Sequence, residues 1–276
     1  MTMKYQGHLK KMRITAESEQ AKYEICLDDQ LISLNEKISQ PIRIEFLGEI
    51  HCSACGRKSK KSFGQGHCYP CFSKLASCDS CIMSPEKCHF DQGTCRDPSW
   101  GEEFCMQDHI VYLANSSGIK VGITRHSQIP TRWLDQGAGA AMPIARVATR
   151  QLSGLLEVIF KQHVSDKTNW RTMLKQDAAD IDLAQKRDEL FEMCHEEIEE
   201  LQAEYGLQAV QLIYDGAQEA FNFPVQEYPT KVVSFNLDKN PVAQGKLMGI
   251  KGQYLILDSG VINLRKYSSY LVSVEV

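Results

Sequence analysis

Apolar and polar residues alternate at both ends of the chain, whereas the middle carries apolar positions at helical spacing. Residues 1 to 50 contain YQGHLKKMRI, then AKYEICL, then IRIEFLG after the break at Ser39-Gln40-Pro41. Their alternation and β-branched content predict short strands. The pattern returns after residue 206 in QAVQLIYD, KVVSFNL, KLMGIKGQYLILDSG and VINLRKYSSYLVSVEV. Gly245, Gly249, Gly252 and Gly260 punctuate these runs as they do in small twisted barrels. Gln6-Gly7-His8-Leu9 echoes Gln244-Gly245-Lys246-Leu247, which makes the two terminal β segments candidates for one module.

Between them, IVYLA and IKVGIT are joined by Asn115-Ser116-Ser117-Gly118 and predict an antiparallel hairpin. Pro130 fits an early helix position, and the Gly-Ala run after TRWLDQ keeps that helix short. Leu152, Leu155, Leu156, Ile159, Phe160 and Val164 follow the i, i+3, i+4, i+7 rule of an amphipathic helix. At about 100° per residue, Glu157 falls at the margin of this stripe, close in angle to Val164. Residues 176 to 205 predict one long helix with Leu190, Cys194, Ile198, Leu201 and Tyr205 on one side, ending at Gly206. The expected architecture is α+β: an N-terminal β module (1–50), a cysteine-rich module (51–108), a hairpin-and-helix core (109–175), an acidic helix (176–206) and a C-terminal barrel-like β module (207–276).

At 276 residues the chain buries a core without help from disulfides. No run approaches the roughly 18 apolar residues of a membrane span, and the N-terminus lacks a signal-like apolar segment. A cytoplasmic protein with reduced thiols is therefore expected. Eight of the eleven cysteines lie between Cys52 and Cys95, and Cys105 follows closely. Clustered reduced thiols are most often metal ligands. Cys52/Cys55 and Cys68/Cys71 form two CxxC knuckles, each putting two thiolates on one tight turn, and together they complete a tetrahedral zinc site. A redox CxxC normally comes singly beside a βαβ pattern, which is missing here. Cys78, Cys81, Cys88 and Cys95 are the candidates for a second zinc, with Cys105, His89 and His109 in reserve. An iron–sulfur cluster also takes four thiolates, and spacing leaves that choice open.

Charge is distributed unevenly. The net charge of −4 hides a local −9 over residues 176 to 205, so the rest of the chain carries +5. Residues 109 to 175 hold nine Lys/Arg against three acids, and residues 51 to 75 hold five and none. The two segments richest in candidate chemistry are thus the basic ones, as an anionic partner such as DNA or RNA requires. Arg57, Lys58, Lys60 and Lys61 hang from the loop between the first two knuckles, placed either for phosphate contacts or simply for solvent. Arg265 and Lys266 lie among Tyr254, Tyr267 and Tyr270, a mixture that can stack bases, although barrel tyrosines are more often just packed.

Ile110-Val111-Tyr112, Lys120-Val121-Gly122-Ile123-Thr124, Arg132 and Glu157 resemble the GIY-YIG endonuclease superfamily in its K-[IV]-G-I-T form. The layout of knuckles, VYLA and KVGIT strands, RWLDQGA, Glu-bearing helix and closing GIKGQYLIL and NLRKY strands also resembles a prokaryotic family classed as a domain of unknown function. The nuclease resemblance covers about 109 to 170 and implies roles for individual residues. Tyr112 would assist the attacking water, Arg132 would hold the phosphate, and Glu157 would bind Mg²⁺ or Mn²⁺. Arg125 would be a second phosphate ligand and Asn169 a late polar residue. This chain departs from that pattern in having Lys120 where the second-motif tyrosine would stand, and Gln136 near a position that relatives fill with histidine or tyrosine.

The leading expectation is a divalent-metal-dependent phosphodiester hydrolase acting on DNA or RNA, with Tyr112, Arg125, Arg132 and Glu157 catalytic. Arg57, Lys58, Lys60, Lys61, Lys120, Arg265 and Lys266 would contact nucleic acid, and two zinc ions would be structural. The rivals are a non-catalytic zinc-stabilised nucleic-acid-binding protein and a protein-interaction adaptor that uses the acidic helix.

Overall fold

A computed structural model describes residues 3 to 276. In chain order it opens with β1 (Lys4–His8), β2 (Arg13–Glu17), β3 (Gln20–Leu27), β4 (Gln30–Ser33), β5 (Pro41–His51) and β6 (Lys58–Ser59). The cysteine-rich part carries α1 (Tyr69–Lys74) and α2 (Pro98–Phe104), joined by short 3-10 turns. Then follow β7 (His109–Asn115), β8 (Ile119–Arg125), α3 (Thr131–Asp135), β9 (Ala140–Val147), α4 (Arg150–Phe160) and α5 (Trp170–Met173). The chain closes with α6 (Leu183–Met193), α7 (His195–Tyr205), β10 (Val210–Leu212), β11 (Glu219–Ala220), β12 (Val242–Lys251), β13 (Tyr254–Leu257), β14 (Gly260–Asn263) and β15 (Tyr270–Glu275).

These strands form three antiparallel sheets in a mixed α+β fold. The largest runs β1-β15-β5-β12-β13-β14 with β6 added to β5, the second β10-β9-β7-β8 with β11 on β9, and the third β2-β3-β4. Because β1 pairs with β15, both chain ends lie in one sheet. The expected barrel does not close, since the path ends unpaired at β1 and β14. Each edge is covered by a neighbouring segment instead: Leu9 bridges Leu27 at one end, and Ser234 bridges Val261 at the other. The second bridge is all that becomes of the strand expected at 231 to 237, which serves as an edge cover.

β9 is absent from the sequence-based pattern and lies at the heart of the second sheet. Its sequence AAMPIARV has low β-propensity and contains Pro143, a residue that central strands normally exclude. Pro143 is accommodated where the pairing with β7 shifts register, between Val111 and Tyr112. Strand β7 is buried along its whole length. Val111 and Leu113 pack into one core with Leu152, Leu156 and Phe160 of α4 and with Leu190 and Ile198 of the acidic segment. Ile110, Tyr112 and Ala114 point the other way into a core continuous with the terminal β sheet. The hairpin is therefore a layer between helices and a second sheet.

The acidic stretch is two helices, not one. Asp182 caps α6 by accepting from Ala184 N (2.9 Å) and Gln185 N (3.0 Å), so residues 176 to 182 remain outside the helix. Cys194, at φ −110° and ψ 18°, breaks α6 from α7. The apolar side is buried as expected at Leu190, Cys194, Ile198 and Leu201, while Tyr205 stays exposed.

Candidate active site and metal centres

The first cysteine knuckle grows out of a strand. β5 runs to His51 and delivers Cys52, whose carbonyl accepts from Gly56 N (2.8 Å) in a turn that Gly56 closes at φ +67°. Cys68 is the N-cap residue of α1, which puts Cys71 inside its first turn. The ligand atoms of Cys52, Cys55, Cys68 and Cys71 all lie within 4.8 Å of one another, and this group can hold one zinc ion. The Cys55 and Cys68 sulfurs are 3.8 Å apart. That is the edge of a tetrahedron whose zinc–sulfur bonds are about 2.3 Å. The module is fastened to the terminal sheet by Ser269 Oγ, which donates to Gly66 O (2.9 Å), and by Arg265 Nε, which donates to Gln65 Oε1 (2.9 Å).

The second expected set does not gather in the same way. The Cys78 sulfur is 3.8 Å from the Cβ position of Gly64, beside Phe72, and so lies against the loop between the first two knuckles. Near Cys81 the atoms that do converge belong to Asp79 and His89.

Four elements meet around Tyr112. β8 lies opposite β7 with Gly122 paired to Tyr112, and the phenol passes over this glycine. A Cβ on Gly122 would fall 2.6 Å from the Tyr112 hydroxyl, so this close crossing requires glycine. The fully buried Tyr112 packs edge-on to Trp133 of α3, ring centroids 5.9 Å apart, and donates to Gln136 Oε1 (3.0 Å). Burial pushes its hydroxyl above the usual phenol range, against the pull of Arg132, with the Glu157 charge adding to the rise.

Lys120 also turns inward and is 3% exposed. Burial and then Arg132 depress its amine to about 7, against the pull of Glu157 and Asp166. Glu157, half-buried on α4, is pushed above the ordinary carboxylate range by burial and then by the Asp166 carboxylate, while Lys161 and Arg132 oppose the rise. Asp166 arrives because Ser165 bridges Lys120 alongside the open edge of β8. No sequence pattern marked Asp166, which reaches the site through this edge contact.

The remaining candidates are scattered. The Arg125 guanidinium lies over the Phe104 ring at 4.9 Å, toward the second cysteine group. Asn169 caps α5 by accepting from Thr172 N (3.2 Å). Lys58 pairs with Glu49 at 2.8 Å, while Arg57, Lys60 and Lys61 are exposed. Arg265 is near enough to Arg132 and Asp135 to feel both charges, and burial lowers its own pKa first. Lys266 is exposed, its amine 5.2 Å from the Tyr267 ring centroid. The tyrosines of the closing strands are packed: Tyr254 stacks on Trp170, and Tyr270 donates to Asp238 Oδ1 (2.8 Å). Among the described residues no helix is long and apolar enough to cross a membrane.

No curated protein and no solved structure matches the chain. Residues 39–272 match the family model described as "Protein of unknown function (DUF2797)", and no GIY-YIG family is matched. Since the match spans most of its length, the chain belongs to the DUF2797 family.

Proposed function

We propose that this protein hydrolyses phosphodiester bonds in nucleic acid, with a GIY-YIG-type centre built from Tyr112, Arg132, Glu157 and Lys120. The supporting observation is that these four residues come from β7, α3, α4 and β8 and lie close enough to alter one another's ionisation. Titratable groups perturbed by burial together with specific charged partners concentrate at functional sites. Glu157 and Asp166 supply the hard oxygen donors that Mg²⁺ or Mn²⁺ takes, and a bound cation would favour the charged Glu157 that burial now disfavours. When bound, such an ion supplies Lewis-acid stabilisation of the phosphate.

The chain's own groups then divide the work. Tyr112 stays a neutral phenol and, tied to Gln136, orients the polar centre. The Arg132 guanidinium matches two phosphate oxygens and meets the charge that grows during displacement. Lys120, near 7, is the group suited to take a proton from the attacking water at neutral pH, a role that compensates for the missing second tyrosine. The zinc at Cys52, Cys55, Cys68 and Cys71 is structural, and the exposed Arg57, Lys60 and Lys61 extend the basic surface toward the nucleic-acid backbone.

A second reading, phosphate recognition without cleavage, draws on the complete burial of Tyr112 and on the lysine in a tyrosine's place. Incubating the purified chain with labelled DNA and RNA plus Mg²⁺ or Mn²⁺ separates the two. Cleavage that is lost in Glu157→Ala while binding persists supports the hydrolase. Binding without cleavage leaves the binding protein, and failure to bind either nucleic acid at low salt removes both.

A further inference from the structure

Three hydrogen bonds gather distant parts of the cysteine-rich segment around the first turn of α4. Arg150 N donates to Cys105 O (2.8 Å), and Arg150 Nη2 donates to Ile82 O (2.7 Å), next to Cys81. Gln151 Nε2 donates to Cys88 O (3.3 Å). Cys95 joins through α2, because its sulfur lies 3.3 Å from the Cβ position of Gly101 and Gly101 O accepts from Cys105 N (2.8 Å). Gly154 permits this docking: a Cβ there would lie 2.4 Å from Glu86 N, inside the loop that separates Cys81 from Cys88.

From this convergence we propose that Cys81, Cys88, Cys95 and Cys105 hold one [4Fe–4S] cluster beside Arg150, at the start of the helix that carries Glu157. The ligand set differs from the one the spacing alone favoured, exchanging Cys78 for Cys105. Its occupant also differs from the zinc of the first module. A single zinc draws its four sulfurs to the 3.8 Å separation found between Cys55 and Cys68. Among the described residues, the groups whose ligand atoms all fall within 4.8 Å are the first four cysteines and Asp79/Cys81/His89, so Cys88, Cys95 and Cys105 form no such tight set. A cubane binds each thiolate at a different iron and therefore accepts a wider ring of sulfurs.

The surroundings agree with this assignment. Arg150 Nε is buried with no partner in the protein, an unmet donor of the kind that cluster sulfurs accept. The same guanidinium offsets the negative charge of four thiolates. The Asp79/Cys81/His89 group is a weaker candidate, because Arg96 Nε already pairs with the Asp79 carboxylate at 2.7 Å and fills the place of a cation.

The test is metal and sulfide analysis, with visible absorption, of protein purified without oxygen from iron-supplied cells. A brown protein with about four irons and four labile sulfides per chain is expected. Cys81→Ser, Cys88→Ser, Cys95→Ser and Cys105→Ser should each lose the chromophore, whereas Cys78→Ser keeps it. One zinc per chain remaining in those variants reports that the first module is still folded. Zinc in place of iron in the native protein overturns the proposal, and so does a chromophore that survives Cys105→Ser but not Cys78→Ser. None of these readouts depends on nuclease activity.

Discussion

Gly122 lies directly beneath the phenol of Tyr112, with room for a hydrogen and not for a methyl group: a Cβ there would sit 2.6 Å from the hydroxyl and 2.7 Å from the ring carbon that bears it. Both residues are on neighbouring strands of a buried hairpin, so neither backbone yields easily. Gly122→Ala is expected to destabilise the fold by about 1–3 kcal/mol, the usual cost of overpacking a core. Chemical denaturation measures it, and an unchanged midpoint would show that Tyr112 has space to move.

Under the proposed hydrolase reading, in which Arg132 meets phosphate charge, removing this part-exposed residue of a five-residue helix should affect chemistry far more than folding. Arg132→Ala is expected to slow cleavage by roughly 10²- to 10³-fold, the scale seen when one transition-state donor is lost. Single-turnover cleavage assays give the rate and thermal melting gives the control. Equal rates in the two proteins would remove Arg132 from the catalytic set.

Lys120 leaves a signature in the pH dependence of stability. Its folded pKa is about 7, below the value near 10 of an unfolded lysine. Below about pH 7 both states are protonated and the full cost of burying the charge is paid. Between about 7 and 10 the unfolded state binds the extra proton, so stability rises with pH. Lys120→Met should flatten that rise and stabilise the protein near neutral pH by up to a few kcal/mol. Denaturation midpoints across pH 6 to 10 decide it, and parallel curves for the two proteins would count against a buried amine.

His109 works in the acid range. Burial holds its imidazole down at about 4, although its bond to Gln107 O (2.8 Å) favours the charged form. Stability should therefore be complete above about pH 6.5 and fall as the pH drops toward 4. His109→Gln should weaken that acid sensitivity, and NMR titration of the imidazole should return a pKa well below 6.

Withdrawing zinc from the first four cysteines should loosen more than their loop, because Gly66 and Gln65 are the anchors for Ser269 and Arg265. A strong chelator is expected to release one zinc per chain and to increase amide exchange in residues 52 to 71 and around 265 to 269. Exchange confined to the knuckles would mean that the terminal sheet holds itself.

Much of this protein is legible in its residues. Alternation marks most strands, the 3.6-residue repeat marks α4, and the paired CxxC spacing marks a four-thiolate site, because each of these patterns is local and repeats within a few residues. The sequence also singled out Tyr112, Arg132 and Glu157, drawing on motif resemblance as much as on pattern. Tertiary structure alone decided the rest. β9 has poor β-propensity and exists because β7 on one side and β10 on the other satisfy its backbone, with a register shift to admit Pro143. Lys120 reads as a surface cation and becomes buried because it pairs with Ala114, on the face of the hairpin turned toward the terminal sheet. Asp166 joins Glu157 through an edge contact of β8, and Arg125 is drawn away to Phe104. Cysteine spacing showed that thiols would cluster. Which parts of the cysteine-rich segment come to Arg150 and Gln151 depends on how α4 and α2 pack, a long-range arrangement to which no short stretch of sequence is sensitive.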